Sequence, residues 1–249
     1  MMAERRSSLL EPAYVLHRRA YRESSAIAEL FTAEHGRLGV VARGVRSSRS
    51  RWRALLQPFT PLSVSWQARG DLGTLTDVEL QWRSTLPTGR RLVSGFYLNE
   101  LLLRVLQRED PYPELFQCYA GAVLMLASRG AEQPLLRCFE RDLLAAMGYG
   151  LLLSHDADGS PIEPQRWYRY EIDKGAVPVT APRGRLVVQG ATLSALASGV
   201  FPNAGVEVQA RQLMRAALRP HVGERPLKSR ELYAQYLGAK SQPQPRGDG

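Results

Sequence analysis

Apolar and polar positions alternate along the first 80 residues in short runs rich in β-branched and aromatic side chains, which predicts β-strands. Five such runs are present, over Ala13–Arg19, Ile27–Ala33, Arg37–Val45, Pro61–Ala68 and Gly73–Leu80. Clusters of glycine, proline and serine separate them and indicate turns. Five short strands in so few residues fit a small closed barrel, of which the OB-fold is the common five-stranded type.

The third run contains an almost continuous apolar stretch, Leu38–Ala42. Such a stretch is typical of a strand that is buried on both faces or that closes a barrel. Gly39 lies inside it, and a glycine in a strand often marks a bend or a bulge. We therefore expect an irregularity at this position.

From Leu92 onward the apolar residues recur every three to four positions, which predicts amphipathic helices. The predicted helices run from 92 towards Pro111 and over 115–127, 133–147, 192–197, 206–218 and 230–237. Pro111 and Pro113 end the first helix, glycines 148 and 150 end the third, and Ser229 is the expected N-cap of the last.

Residues 154–190 interrupt the helical pattern with a turn-rich segment, in which Trp167–Ile172 and Arg185–Gln189 are expected to form a small hairpin or a small subdomain. The fold class is thus α+β and multi-domain. We expect a five-stranded OB-fold barrel over 1–82 and a mainly helical domain over 83–240. The helical domain carries an inserted β/loop segment, 151–190, and a disordered tail, 241–249, follows it.

Composition places the chain among globular proteins. Hydrophobic residues make up 44% and charged residues 23%, which is enough to form a sizeable core. No apolar run is long enough to cross a membrane, and the two leucines after Arg5 and Arg6 are too few for a secretion signal. Cys118 and Cys138 form no C-x-x-C pair and are expected to be reduced thiols. These features favour a cytoplasmic protein without a membrane partner.

The net charge of +9 favours a polyanionic partner. Its strongest local source is the segment 43–53, which has five arginines and no acidic residue. Serines and a glycine make this segment a flexible loop beside a barrel strand, where guanidinium groups contact phosphates and Trp52 stacks on a base. The alternative interpretation is an ordinary solvated basic loop. Because the loop coincides with the basic charge and a barrel, nucleic-acid binding is favoured.

Signals for catalysis, metals or cofactors are absent from the sequence. Ser154, His155 and Asp156 are consecutive and cannot converge on one reacting atom as a catalytic triad does. The acidic run that begins at Asp156 has Trp167 where a calcium loop needs glutamate, and there is no Walker phosphate loop. We expect no catalytic residue, no metal and no cofactor. Two other classes stay open, an OB-fold RNA-binding factor and an enzyme such as a nuclease.

Several stretches of the chain, collinear over residues 10–238, are distinctive when taken together. They include ELFTAEHGRLGVVARG, LQPFTP, YLNEL, FERDLLAAMGYG and PLKSREL. With these stretches the chain resembles the bacterial RecO recombination-mediator family. The resemblance implies an N-terminal OB-fold, a helical domain and a mediator without enzymatic activity. Such a mediator binds single- and double-stranded DNA and anneals complementary strands, including strands coated by single-stranded DNA-binding protein (SSB). The implied protein partners are the SSB C-terminal tail, RecR, and indirectly RecA and RecF.

The sequence departs from the family in one respect. Many members carry a four-cysteine zinc site after the Gly-Tyr-Gly turn, whereas residues 151–190 contain no cysteine here. We expect packing of Trp167, Tyr168 and Tyr170 to hold this segment instead.

Roles for individual residues follow from the resemblance together with charge and spacing. The expected DNA-binding residues are Arg18, Arg19, Arg37, Arg43, Arg46, Arg49, Arg51, Trp52 and Arg53, with Lys228 and Arg230 as a second basic patch. An ordinary capped surface helix is an equally good interpretation of Lys228 and Arg230. The acidic, aromatic-ended SSB tail needs a basic residue for its carboxylate and an apolar pocket for its phenylalanine. Arg137 is the expected anchor, supported by Arg141 and presented together with Leu136 and Phe139. Tyr97, Leu98 and Leu101 are expected to be helical core.

Overall fold

The computed structural model describes residues 6–128 and 130–241, with only the backbone for 237–241. Its first part is a closed barrel with the strand order β1-β2-β3-β5-β4. The strands are β1 (Arg6–Tyr21), β2 (Ser25–Thr32), β3 (Gly36–Ala42), β4 (Leu62–Ala68) and β5 (Gly73–Leu80), and the short helix α1 (Trp52–Leu55) lies between β3 and β4. The predicted OB-fold arrangement of five strands is confirmed.

The apolar stretch in the third strand predicted either a strand buried on both faces or one that closes a barrel. β3 closes the barrel. Val40 pairs with Gly73 in parallel orientation, beside the antiparallel β2–β3 ladder. The irregularity expected at Gly39 is wrong, because the β2–β3 register runs without a shift. Gly39 instead leaves room for a neighbour: a Cβ there would lie 2.9 Å from the guanidinium of Arg108.

Alternate side chains of β1 enter two different cores. Ala13 and Val15 point into the barrel, whereas Tyr14 and Leu16 join the core of the helical region. This division follows from the two-residue period of a strand whose faces are both covered. The ring centroid of Tyr14 lies 5.2 Å from that of Tyr119, so the barrel and the helices pack through a shared apolar core.

A polar contact supplements this packing at the bulge in β1. The β1–β2 register shifts between Val15 and His17. Asn99 is 1% exposed, and its amide donates to the carbonyl of Leu16 at 2.9 Å while its oxygen accepts from the Tyr119 hydroxyl at 2.6 Å. A buried carbonyl at the bulge is thereby satisfied by a helix.

The helical region contains six helices among the residues described, and a three-stranded sheet. In chain order they are α2 (Arg90–Val105), α3 (Pro113–Ala127), α4 (Glu132–Ala146), β6 (Trp167–Glu171), β7 (Gly175–Val179), β8 (Val187–Gln189), α5 (Gly190–Ser198), α6 (Ala204–Val222) and α7 (Lys228–Ser241). The boundary between the barrel and the helical domain, which was expected at 82/83, lies in the segment between β5 and α2. None of the described helices is long and apolar enough to cross a membrane.

Some element ends differ from the prediction. α2 ends before the prolines, and Pro113 begins α3 because its missing N–H costs nothing in a first turn. The small sheet has the order β7-β6-β8, and β7 was not predicted. Pro178 lies in that strand, where it is tolerated because β7 is an edge. Residues 242–249 of the expected disordered tail lie outside the described residues, and Ser241 is the end of α7.

The expected N-cap at Ser229 is wrong, because α7 already begins at Lys228. The carboxylate of Glu100, on α2, accepts the backbone N–H groups of Lys228 and Ser229 and the Ser229 hydroxyl, each at 2.9 Å. Burial alone would raise the pKa of Glu100, but these hydrogen bonds outweigh it and lower the pKa. A side chain from another helix thus satisfies the free donors of the first turn.

Packing holds the segment that lacks the zinc site, as expected. Tyr168 and Tyr170 are 0% and 3% exposed and belong to the core of the helical region. The Tyr168 hydroxyl accepts the backbone N–H of Glu163 at 3.0 Å, and the Tyr170 hydroxyl donates to the carbonyl of Leu152 at 3.2 Å. Trp167 is half-buried.

Candidate functional site

The arginine-rich segment, residues 43–53, is here named the barrel basic loop. Its backbone forms successive turns, with N–H groups of Ser47 and Ser50 bonded to the carbonyls of Gly44 and Ser47. The N–H of Arg46 donates to the carbonyl of Ser24 in the β1–β2 turn at 2.8 Å, and Val45 is buried in the barrel core. The loop is therefore anchored to the barrel, whereas its composition suggested a flexible segment.

The arginines of the barrel basic loop differ in their contacts. Arg43, Arg49 and Arg53 are exposed, and no side-chain hydrogen bond or ion pair holds them among the described residues. Arg46 donates to the carbonyl of Arg22 at 2.9 Å, and Arg51 lies 3.2 Å from Asp77. Three guanidinium groups thus remain open to an external anion.

The end of β1 extends this basic surface. Arg18 donates to the carbonyl of Arg53 at 3.4 Å, which places it beside the loop as expected. Arg19 is exposed, but no contact joins its side chain to the loop among the described residues. Arg22 belongs to the same surface and was missed, because only the folded barrel brings the β1–β2 turn against residue 46.

Trp52 is not the free stacking platform that was expected. Its indole is half-buried against the barrel core together with Leu55. The Nε1 atom is buried and has no hydrogen-bond partner. The ring position follows from α1, which carries the chain back to the barrel before β4.

Arg37 does not extend the basic surface, which corrects the prediction. Its guanidinium donates to the carbonyl of Leu103 in α2 and lies 3.9 Å from Glu29. Burial lowers the pKa of Arg37, and the carboxylate of Glu29 opposes this shift. Arg108 also pairs with Glu29, so Arg37 belongs to the contact between the barrel and the helices.

The second candidate site is a cavity of about 1270 Å³, here named the helical cavity, between α2, α4, α6 and the segment that leads into α7. Its wall combines apolar and cationic side chains. The apolar ones include Leu136, Leu218 and Leu227, the six arginines are Arg137, Arg211, Arg215, Arg219, Arg225 and Arg230, and the three glutamates are Glu132, Glu140 and Glu224. Such a wall suits an anionic ligand that also has an apolar group.

Arg137 is buried at the wall of the helical cavity, with 5% exposure. It donates to Glu140 at 2.6 Å, and the Tyr97 hydroxyl donates to the same carboxylate oxygen at 2.6 Å. The Nε of Arg137 and the second oxygen of Glu140 are buried and have no hydrogen-bond partner in the part of the chain that the structure describes. Burial raises the pKa of Glu140, although Arg137 and Tyr97 act in the opposite direction.

Leu136 lines the helical cavity as expected, but two other α4 residues do not. Phe139 is 2% exposed and packs in the core against Tyr119. Arg141 donates to the carbonyls of Leu196 and Ala197 at the end of α5, at 2.7 and 3.0 Å. Tyr97 of α2 borders the cavity and packs against the core, whereas Leu98 and Leu101 are fully buried core residues, as expected.

Lys228 and Arg230 do not form one patch. Arg230 lines the helical cavity, and its charge acts to lower the pKa of Glu140. Lys228 is exposed and lies outside that wall. Side chains two positions apart along a helix point in directions that differ by about 200°, which explains why Lys228 and Arg230 lie on different sides of α7.

Three ligand-type side chains approach one another at the barrel, where no metal was expected. Suitable atoms of Glu11, Glu34 and His35 lie within 4.8 Å of one another. However, one oxygen of Glu11 accepts the backbone N–H groups of Glu34 and His35, at 2.8 and 3.0 Å. The other contacts His35 Nδ1 and accepts from Trp66 Nε1, at 3.0 and 3.1 Å. The carboxylate is therefore already used by the protein.

Comparison with protein families agrees with this two-part architecture. Residues 7–81 match the family model described as recombination protein O N terminal, and residues 86–231 match recombination protein O C terminal. The chain belongs to the RecO family. The boundary between the two matches falls between β5 and α2.

Curated relatives extend the similarity over most of the chain. DNA repair protein RecO of Nitrosococcus oceani is 48% identical over 226 residues, which cover 90% of this chain and 92% of the relative. The Alkalilimnicola ehrlichii protein of the same name is 50% identical over 233 residues, 91% of each chain. That of Pseudomonas aeruginosa is 44% identical over 223 residues, 90% of this chain and 94% of the relative.

Proposed function

We propose that this chain is a DNA repair and recombination mediator without enzymatic activity. It binds single- and double-stranded DNA, anneals complementary strands, including SSB-coated ones, and with RecR helps to load RecA. RecF is an indirect partner. Membership of a family whose curated members are named DNA repair proteins supports this proposal. The observation that carries it is the barrel basic loop, with its anchored backbone and three unpaired guanidinium groups.

The position of the barrel basic loop favours DNA contact. The β1–β2 loop is one of the loops with which OB-folds bind oligonucleotides, and the carbonyls of Arg22 and Ser24 in that turn fix the basic loop beside it. Because the backbone is already ordered, only the arginine side chains lose freedom on binding. Contact is made to phosphates rather than by stacking, since Trp52 is packed against the barrel.

The helical cavity supports binding of the SSB tail. An acidic tail that ends in phenylalanine needs cations for its carboxylates and an apolar recess for its ring. Arg137 lies at this wall and its buried Nε has no hydrogen-bond partner among the described residues, and Leu136 and Tyr97 line the cavity next to it. The tail site proposed here therefore keeps Arg137 and Leu136, and replaces Phe139 and Arg141 by Tyr97.

Replacing Arg43 and Arg49 with glutamine should weaken binding of a single-stranded oligonucleotide and reduce its salt dependence. Each lost phosphate contact lowers the slope of log K against log salt by about 0.7, so the expected decrease is about 1.4. The measurement is fluorescence anisotropy over a salt series. R83Q/R166Q is the matched control, because it removes the same charge from exposed positions outside the loop.

An unchanged slope in folded R43Q/R49Q protein would remove the barrel basic loop from DNA binding. Competition with an RNA oligonucleotide of the same sequence tests the alternative of an RNA-binding factor. Clear preference for the RNA would favour that alternative.

Annealing of complementary strands coated with SSB tests the mediator function directly. We expect fast annealing with intact SSB and slow annealing with SSB that lacks its C-terminal tail, because the tail brings the protein to the coated strand. Naked strands should anneal equally well in both cases. The absence of annealing with coated and naked strands would contradict the proposed function.

A further inference from the structure

One face of α6 is an unpaired cationic row. Arg211, Arg215 and Arg219 recur at intervals of four residues, a rise of about 6 Å per step, and all three are exposed. No ion pair holds any of them among the described residues. The buried side of α6, which includes Ala210, Leu213, Met214 and Ala217, packs in the core, so these arginines are not needed to dock the helix.

The small sheet adds two arginines opposite this row. A groove of about 580 Å³, here named the sheet–helix groove, lies between β6, the segment before β8, and α6. Its arginines are Arg169, Arg185, Arg215 and Arg219, and its one acidic residue is Glu171. Arg169 pairs with Glu171 at 2.9 Å, and Arg185 has no ion pair among the described residues. No residue of the barrel lines the groove.

We propose that the sheet–helix groove binds the phosphate backbone of a second DNA strand while the barrel basic loop binds the first. This inference rests on the proposed annealing function. A polymer with regularly repeated negative charges fits a cationic row that faces arginines on the opposite wall. The Tyr170 ring at this groove is buried and its hydroxyl is bonded to Leu152, so no free aromatic ring is available there to stack on a base.

Phosphate contact without stacking suits annealing. Bases that the protein does not hold remain free to pair with the other strand. Two cationic sites on one chain raise the effective concentration of each strand near the other, and they screen the repulsion between the two backbones. The acidic SSB tail is assigned to the helical cavity instead, which has about 1270 Å³ against about 580 Å³ for this groove and which Arg137 and Leu136 line.

The test is the variant R169Q/R185Q, because these two arginines line the sheet–helix groove and not the helical cavity. The control is again R83Q/R166Q. Each pair contains one arginine that is ion-paired to a neighbouring glutamate and one that is not, so the loss of charge is matched. Two non-complementary oligonucleotides carrying donor and acceptor dyes report simultaneous binding by energy transfer, without SSB.

In R169Q/R185Q we expect the affinity for the first strand to stay within about twofold and capture of the second strand to weaken about tenfold. The control should match the wild type in both measurements. R215Q/R219Q changes the helix side of the groove and should show the same loss of second-strand capture. The same result in this variant excludes a local defect of the small sheet as the cause. Thermal melting confirms that each variant is folded.

Second-strand capture at the wild-type level in both groove variants would overturn the inference, as would failure of the wild-type protein to capture a second strand. Loss of affinity for an acidic SSB-tail peptide in R169Q/R185Q, with strand capture intact, would assign the groove to the tail instead. The variant R43Q/R49Q tests the proposed function separately, because it should weaken binding of the first strand, whereas the groove variants should leave that binding unchanged and lose only the second strand.

Discussion

Replacement of Glu11 by alanine is expected to lower the free energy of unfolding by about 3 kcal/mol. Glu11 is 2% exposed, and its carboxylate is the shared acceptor for Trp66 Nε1 and the backbone N–H groups of Glu34 and His35. Alanine would leave Trp66 Nε1 and the Glu34 N–H without this acceptor, although the His35 N–H keeps Thr32 Oγ1 at 3.2 Å, and an unsatisfied buried donor costs about 1–3 kcal/mol. Urea denaturation at neutral pH measures the change.

The pH dependence of the stability that Glu11 contributes tests whether the charge of its carboxylate is responsible. Burial alone would raise the pKa of Glu11, but hydrogen bonds from Trp66, Thr32, Glu34 and His35 outweigh it and lower the pKa. A lowered pKa in the folded state means that the contribution is complete above the unfolded pKa and is lost as the pH falls through the folded value. The difference between wild type and E11Q should therefore shrink as the pH falls below about 4. A difference that is constant down to pH 2 would show that the charge is not involved.

The barrel could be predicted from the sequence because each strand carries its own signal. The alternation over Ile27–Ala33 and the turn residues after it are local, and the structure places β2 and β3 within a few residues of the prediction. Gly39 and Arg37 could not be interpreted in the same way. Their roles depend on Arg108 and Leu103, which approach only because the helical region covers the outside of the barrel.

The helices could also be predicted, but not which side of each helix faces the cavity. The period of α4 identifies an apolar face, yet Leu136 and Phe139 belong to that face and reach different surroundings. The spacing of Tyr97 along α2 predicts a core residue, but its hydroxyl donates to the buried carboxylate of Glu140 on α4. The basic row on α6 did have a sequence signal, since residues 183–222 contain five arginines and one glutamate. The sequence could not predict that Arg169 on β6 and Arg185 before β8 lie opposite this row, because only the fold brings them there.

Replacement of Arg137 by methionine is expected to be similarly destabilising, by about 3–5 kcal/mol, because it removes one partner of a buried ion pair. Glu140 is 1% exposed and would lose its cation. The variant R137M/E140Q should recover most of this loss, since a neutral amide can still accept the Tyr97 hydroxyl. Denaturant unfolding of the two variants gives both values, and failure of E140Q to rescue R137M would contradict this account of the pair.

Because the double variant R137M/E140Q is expected to be stable, it can be used to test binding of the tail carboxylate by Arg137 separately from stability. An acidic peptide that ends in phenylalanine is titrated in two forms, with a free C-terminal carboxylate and with an amide. The wild type should prefer the free acid by about tenfold or more, as expected for a hydrogen bond between charged groups. R137M/E140Q should bind both forms with equal, weak affinity, because the loss of the carboxylate and the loss of Arg137 remove the same contact. A stable double variant that keeps the full preference would show that the tail carboxylate is held elsewhere in the helical cavity, with Arg230 and the α6 arginines as the remaining cations of its wall.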